Sequence, residues 1–193
     1  MPNVCLLAYA TSMSPEKARA LGLARSELVY VRSHMRFFGV PDISSKRLED
    51  LLDYRGKLLS SDVGLTTVAP DAMLQFNGVL YREVPGDVLT RLDSEEAAVG
   101  FIRRQLNAGL IHPFGDGEVD IGGDTVYMYA AQSEINGPHG EKLLLIRQDV
   151  SPDPSFLERC REAASAHGEG FREIFEYSTF LADRKTSLAK SGM

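Results

Sequence analysis

Val88, Leu92 and Glu96 stand four residues apart behind Pro85. A helix opened by that proline carries all three along one side, with Leu89 beside them. The acid at position 96 therefore prolongs an apolar stripe. Glu95, turned by about 100° under the 3.6-residue period, faces solvent instead, and Asp93 shares a face with Leu89. A helix that stops near Ala97 or Ala98, ahead of Gly100, leaves Glu96 in the last turn, where the macrodipole opposes negative charge. Burial acts in the same direction. Both raise a carboxyl pKa, as a proton shuttle working near neutrality requires. The alternative for Glu96 is a structural ion pair with Arg91, Arg103 or Arg104.

A second feature with chemical capacity lies at the start of the chain. The apolar run Val4 to Tyr9 reads as a buried strand. Ala10 to Ser14 follow as a short loop, and Ser14 before Pro15 has the form of an N-cap with proline at the first helical position. Exposed backbone N–H groups at such a junction favour a carboxylate or phosphate.

Other chemistries fail on detail. The stretch Gly115 to Asp124 lacks the Lys-Ser/Thr of a phosphate loop, and an EF-hand begun at Asp116 meets Ile121 where glycine belongs and Tyr127 where an acid belongs. It reads as a solvated turn. His34, His112, His139 and His167 show no metal-ligand spacing, so no metal is expected. Gly-x-Ser-x-Gly is absent, and neither cysteine has a neighbouring histidine signature. Cys5 falls in a strand pattern and Cys160 in a helix pattern; without Cys-x-x-Cys they read as buried structural thiols.

The elements that must position these residues run as follows. Leu28 to Phe38, Leu65 to Val68, Met73 to Val84, Gly100 to Leu106, Thr125 to Gln132 and Lys142 to Gln148 read as strands, with a bulge or turn expected at Asn77-Gly78. Ser44 to Tyr54, Pro154 to His167 and Phe171 to Ala182 have helical spacing. Ser133 to Glu141 is a Gly/Pro-rich connector that could cover a pocket. Strands dominate the middle and helices the end. This order favours an α+β domain with a mostly antiparallel sheet, curved or closed, and helices outside it. One domain over residues 1–182 is expected, followed by a flexible tail, 183–193.

The composition agrees: of 193 residues 44% are hydrophobic and 25% charged, as in ordinary globular proteins. Twenty-one basic against 27 acidic residues give a net charge of −6, and no Lys/Arg block occurs. Neither nucleic acid nor an anionic membrane is therefore an expected partner. The opening residues lack a basic n-region, and Val4 to Ala10 is too short to cross a bilayer. A cytoplasmic protein with a small ligand is expected.

Three stretches, in order, resemble the γ-glutamylcyclotransferase family. Leu7-Ala-Tyr-Ala-Thr-Ser-Met-Ser-Pro15 is similar to its Tyr-Gly-Ser-Asn-Met loop and following helix. Asn77-Gly-Val-Leu-Tyr-Arg82, continued by Leu92-Asp-Ser-Glu-Glu96, is similar to its Gly-Val-Leu-Tyr strand and Leu-Asp-x-x-Glu helix end. Pro154 to Gly168 is similar to its C-terminal helix ending in glycine. The resemblance implies a small mixed β-barrel flanked by helices, with a glutamyl group held by backbone amides of the loop Tyr9, Ala10, Thr11, Ser12 and Met13. It places the catalytic glutamate at Glu96 and implies no cofactor or metal. The implied activity is internal cyclisation of a γ-glutamyl amide to 5-oxoproline with release of an amine, in a monomer or homodimer. A non-catalytic binding module on the same fold is the rival.

The chain departs from the family pattern at the loop and in its aromatics. Ala10 replaces the loop glycine and Ser12 the asparagine; a loop needing φ > 0 would make alanine cost about 1 kcal/mol. The loop does not resemble the Gly-Ser-Leu type of the glutathione-specific branch, which disfavours glutathione as substrate. Phe101 and Phe156 stand where tyrosines are common, so Tyr127, Tyr129 or Tyr81 is expected either to replace their hydroxyls at the substrate or to pack in the core.

Overall fold

A computed structural model describes residues 3–43, 61–137 and 140–193. The organising unit is a long antiparallel pair, β2 (Ser26–Pro41) with β3 (Ser61–Tyr81). Their β-branched and aromatic residues suit a pleated surface buried on both faces. Against β3 lies β1 (Val4–Ala8), antiparallel; β6 (Thr125–Ala131) runs parallel to β1, and β4 (Phe101–Leu106) closes that side antiparallel to β6. Short β5 (Ile111–Pro113) pairs with β2, and β9 (Val150–Pro152) with β3. A separate hairpin joins β7 (Glu134–Asn136) to β8 (Lys142–Leu144).

Helices cover one face: α1 (Pro15–Ala20), α2 (Gly86–Ala97), α3 (Pro154–Ser165) and α4 (Glu169–Ser178), followed by β10 (Thr179–Phe180) beside β2 and a last turn, α5 (Leu188–Ser191). Alternation along β1 separates two cores. Leu6 and Ala8 face the helices with Val88, Leu92, Leu157 and Phe175, whereas Cys5 and Leu7 face the opposite side with Val29, Phe76, Leu80 and Met128. The α+β class and the mostly antiparallel, mixed sheet are as expected. The barrel is not closed: the strand order ends at β10 and β4, and among the described residues β4 and β5 do not pair.

Several expected elements change form. Leu65–Val68 and Met73–Val84 are one strand, β3, interrupted where His34 meets Pro70 and Arg32 meets Gln75, so that Asp71 to Leu74 bulge outward. Asn77-Gly78, read as a bulge or turn, lies in regular register opposite Tyr30 and Val29. Gly78 serves close approach, since a Cβ there would sit 2.7 Å from the Ala8 carbonyl oxygen. The helix expected at Ser44 to Tyr54 lies outside the described residues. The C-terminal residues, expected as a flexible tail, carry α5, whose Leu188 is buried against the helix-side core. No helix among the described residues is long and apolar enough to cross a membrane.

Candidate active site

The helix α2 forms as the four-residue spacing requires: Val88, Leu89 and Leu92 are buried, Glu96 is half-buried in the last turn, and Glu95 is exposed. Pro85 precedes the first turn, and Gly100, at φ +82°, lets the chain turn into β4. The alternative reading of Glu96, an ion pair with Arg91, Arg103 or Arg104, is not seen among the described residues. Arg91 meets Glu95 at 4.0 Å and Arg103 meets Asp93 at 3.3 Å. Burial pushes the Glu96 carboxyl above its ordinary range, neighbouring Glu95 adds to the shift, and Lys17 opposes it.

The loop after β1 is built from hydrogen bonds to its carbonyls. Ser14 caps α1 by accepting from the Lys17 N–H, and Thr11 to Met13 form a 310 turn. Met13 N–H donates to the Ala10 oxygen at 3.0 Å and Ser14 N–H to the Thr11 oxygen at 3.2 Å. The Tyr81 hydroxyl donates to the Ser12 oxygen at 3.2 Å, and His167 Nε2 lies 2.8 Å from the Met13 oxygen. The Tyr9 oxygen accepts from Arg36 at 3.1 Å. Every carbonyl from Tyr9 to Met13 is thus engaged by the protein, so what this loop offers a ligand is N–H groups. Across a trans peptide C=O and N–H point oppositely, so the Ala10 N–H is aimed away from Arg36.

Arg36 makes this arrangement rigid. It is fully buried, and its guanidinium also donates to Thr179 Oγ1 (2.7 Å), to Asn77 through both its carbonyl (2.7 Å) and its side chain (2.9 Å), and to Ser178 and Phe175 of α4. It stacks 4.2 Å from the Phe175 ring centroid. Burial lowers its pKa to about 9, which keeps it cationic at neutrality. Ala10 has φ −137°, so the left-handed conformation that would penalise alanine is not used.

Glu96 and this loop line one cavity of about 490 Å³. Of the residues expected at the site, Tyr9, Ala10, Thr11, Ser12, Glu96, Phe101 and Phe156 share its wall. Met13 and Tyr127 do not: Met13 is wholly buried in the helix-side core, and Tyr127 lies beneath Arg103, 4.8 Å from its guanidinium. Tyr81 and Tyr129 do reach the cavity, but both hydroxyls are engaged, Tyr81 with Ser12 and Tyr129 with Asp93 at 2.9 Å. The Tyr9 hydroxyl donates to the Tyr129 carbonyl at 2.5 Å.

Asp42, Thr66, Lys17 and Arg159 at the wall were not foreseen. Lys17 lines the cavity and donates to Thr11 Oγ1 at 2.8 Å; burial lowers its pKa. Arg159 reaches the cavity from α3, where it lies 5.7 Å from the Phe156 ring. Thr66 enters from β3. None of the described residues of the Ser133 to Glu141 connector lines the cavity, so the expected cover is not seen there; its residues Glu134–Asn136 instead form β7, paired with β8.

No protein-family model and no curated protein matches this sequence. Solved structures do match in shape. One described as a gamma-glutamyl cyclotransferase superposes with a TM-score of 0.55 at 13% identity, over 90% of this chain and 86% of the other. An uncharacterised protein of Homo sapiens gives 0.57 at 12% identity, over 91% and 87%. A gamma-glutamyl cyclotransferase specific to glutathione, from yeast, gives 0.52 at 11% identity, over 93% and 98%. The chain therefore has the γ-glutamylcyclotransferase-like fold, as the resemblance implied.

Proposed function

We propose that the protein cyclises a γ-glutamyl amide to 5-oxoproline and releases the amine. The observation that carries this reading is a half-buried carboxyl, raised in pKa, in one cavity with a loop whose carbonyls are all withdrawn into the protein. The loop amides, with Lys17 beside them, hold the α-carboxylate of the glutamyl group. Glu96, as carboxylate, takes a proton from the α-ammonium. The freed amine attacks the γ-carbonyl carbon and closes the five-membered ring. The former amide C–N bond then breaks as Glu96 returns the proton to the departing nitrogen, and the second proton of the ring nitrogen passes to the released amine, which leaves as its ammonium ion. The curled substrate makes the attack intramolecular, which can be worth up to about 7–11 kcal/mol. Tyr9, Phe101 and Phe156 bound the space in which the chain curls.

The test is incubation with a panel of γ-glutamyl amides and measurement of 5-oxoproline. Glu96→Gln, folded as judged by circular dichroism, should lower turnover by about 10²–10⁴-fold. Turnover in the wild type should also fall on acidification through a pKa above the usual glutamate value, because only the carboxylate can act as base. Ligand-induced stabilisation of both proteins without product would make it a binding module instead.

A further inference from the structure

Thr66 is 3% exposed, lies in the cavity wall, and among the described residues has no hydrogen-bond partner for its hydroxyl oxygen. Its neighbour Thr67 is differently used, accepting from the Ala131 N–H at 2.9 Å and so tying β3 to β6. The Cys160 thiol is near enough to Thr66 for the hydroxyl to ease its ionisation, but the two do not meet with hydrogen-bond geometry, and a thiol is a weak acceptor. A buried hydroxyl without a partner is costly, whereas valine of nearly the same shape is not. The other hydroxyls that reach this cavity from the sheet are engaged: Tyr81 with Ser12, Tyr129 with Asp93, and Tyr9 with the Tyr129 carbonyl. Phe101 and Phe156 have none.

We propose that Thr66 is a substrate-binding residue, its hydroxyl donating to a carbonyl or carboxylate oxygen of the γ-glutamyl ligand. This rests on the cyclisation reading above and adds to it the hydroxyl donor that the two phenylalanines leave out. Thr66 is optimised for the occupied cavity at the expense of the empty fold, and this gives it a signature that a packing residue lacks.

The experiment compares wild type, Thr66→Val and Thr66→Ser in melting temperature and in steady-state production of 5-oxoproline from a γ-glutamyl amide that the wild type turns over. Thr66→Val should raise the melting temperature of the free protein by about 2–4 °C. It should also raise KM about tenfold, the size of one hydrogen bond from a neutral hydroxyl, with kcat changed less. Thr66→Ser should restore KM to within about threefold. An unchanged KM in Thr66→Val overturns the proposal, and so does a KM change that serine does not rescue. Absence of turnover and of ligand binding in the wild type instead refutes the cyclisation reading itself, so the two failures are distinguishable.

Discussion

Gly78→Ala tests how the sheet sets the site. The new methyl carbon would stand 2.7 Å from the Ala8 carbonyl oxygen and 3.0 Å from Leu7 Cδ1. The carbonyl is backbone, so relief requires β1 and β3 to part by roughly 0.5 Å or more, given comfortable separations near ~3.5 Å. Overpacking of this kind costs about 1–3 kcal/mol, which for a chain of this length lowers the melting temperature by about 2–12 °C. Because β1 runs directly into Tyr9 and the donor loop, the displacement also carries the loop amides away from Glu96. A shift of 1 Å can cost about 10²-fold in rate, so a loss near tenfold is expected in cyclisation kcat/KM. Urea unfolding with an unchanged slope, followed at the same pH as the assay, separates the two effects. A stability loss below about 0.5 kcal/mol with full activity would refute the close approach of the two strands and the claim that it positions the loop.

Lys17→Gln removes the cation that opposes the rise of the Glu96 pKa. Glu96 then titrates higher still, so the acidic limb of kcat/KM should move to higher pH; a limb that stays or moves down refutes the coupling. Asp153→Ala removes the cap of α3, where Oδ1 accepts from the Ser155 hydroxyl at 2.6 Å and from the Phe156 N–H at 2.5 Å. The loss should be about 1 kcal/mol in urea unfolding at pH 7. Those bonds hold the Asp153 carboxyl below its usual range, so the stabilisation is present above the unfolded pKa and fades as pH falls through the folded one; Asp153→Asn should lose less.

What was legible in the sequence was local. Pro15 behind Ser14 marks a helix start that forms with that cap, and the helix expected from Pro154 starts there. The four-residue stripe ending at Glu96 places that acid half-buried, because periodicity fixes which side of a helix faces the core. Strand boundaries were harder. The run from Leu65 to Val84 contains Pro70, Asp71 and Asn77-Gly78, which locally punctuate a strand, yet pairing along β2 carries the ladder through and expels Asp71 to Leu74 as a bulge. Tertiary pairing overrode the local signal. Tyr127 and Tyr129 point to the same face of β6, and their sequence neighbourhood does not say that Asp93 and Leu89 draw one to the cavity while Arg103 covers the other.

The residues that hold the loop were illegible for a stronger reason. Arg36 stands in a strand where an arginine reads as a solvent-facing residue, and Asn77 reads as half of a turn dipeptide. Each makes sense only with the other and with α4, which is about 100 residues further along the chain: Asn77 accepts from Arg36 and donates to the Phe171 carbonyl at 2.7 Å, and Arg36 spans from Tyr9 to Ser178. A buried cation answered by carbonyls and amides rather than a carboxylate leaves no charge pattern to detect, because neutral acceptors occur at every residue. The charged side chains at the cavity wall are Asp42, Glu95, Glu96, Lys17 and Arg159. The guanidinium thus fixes where the loop amides point while its charge is spread over buried dipoles, and the acid's protonation is set by burial and by the groups at the cavity wall.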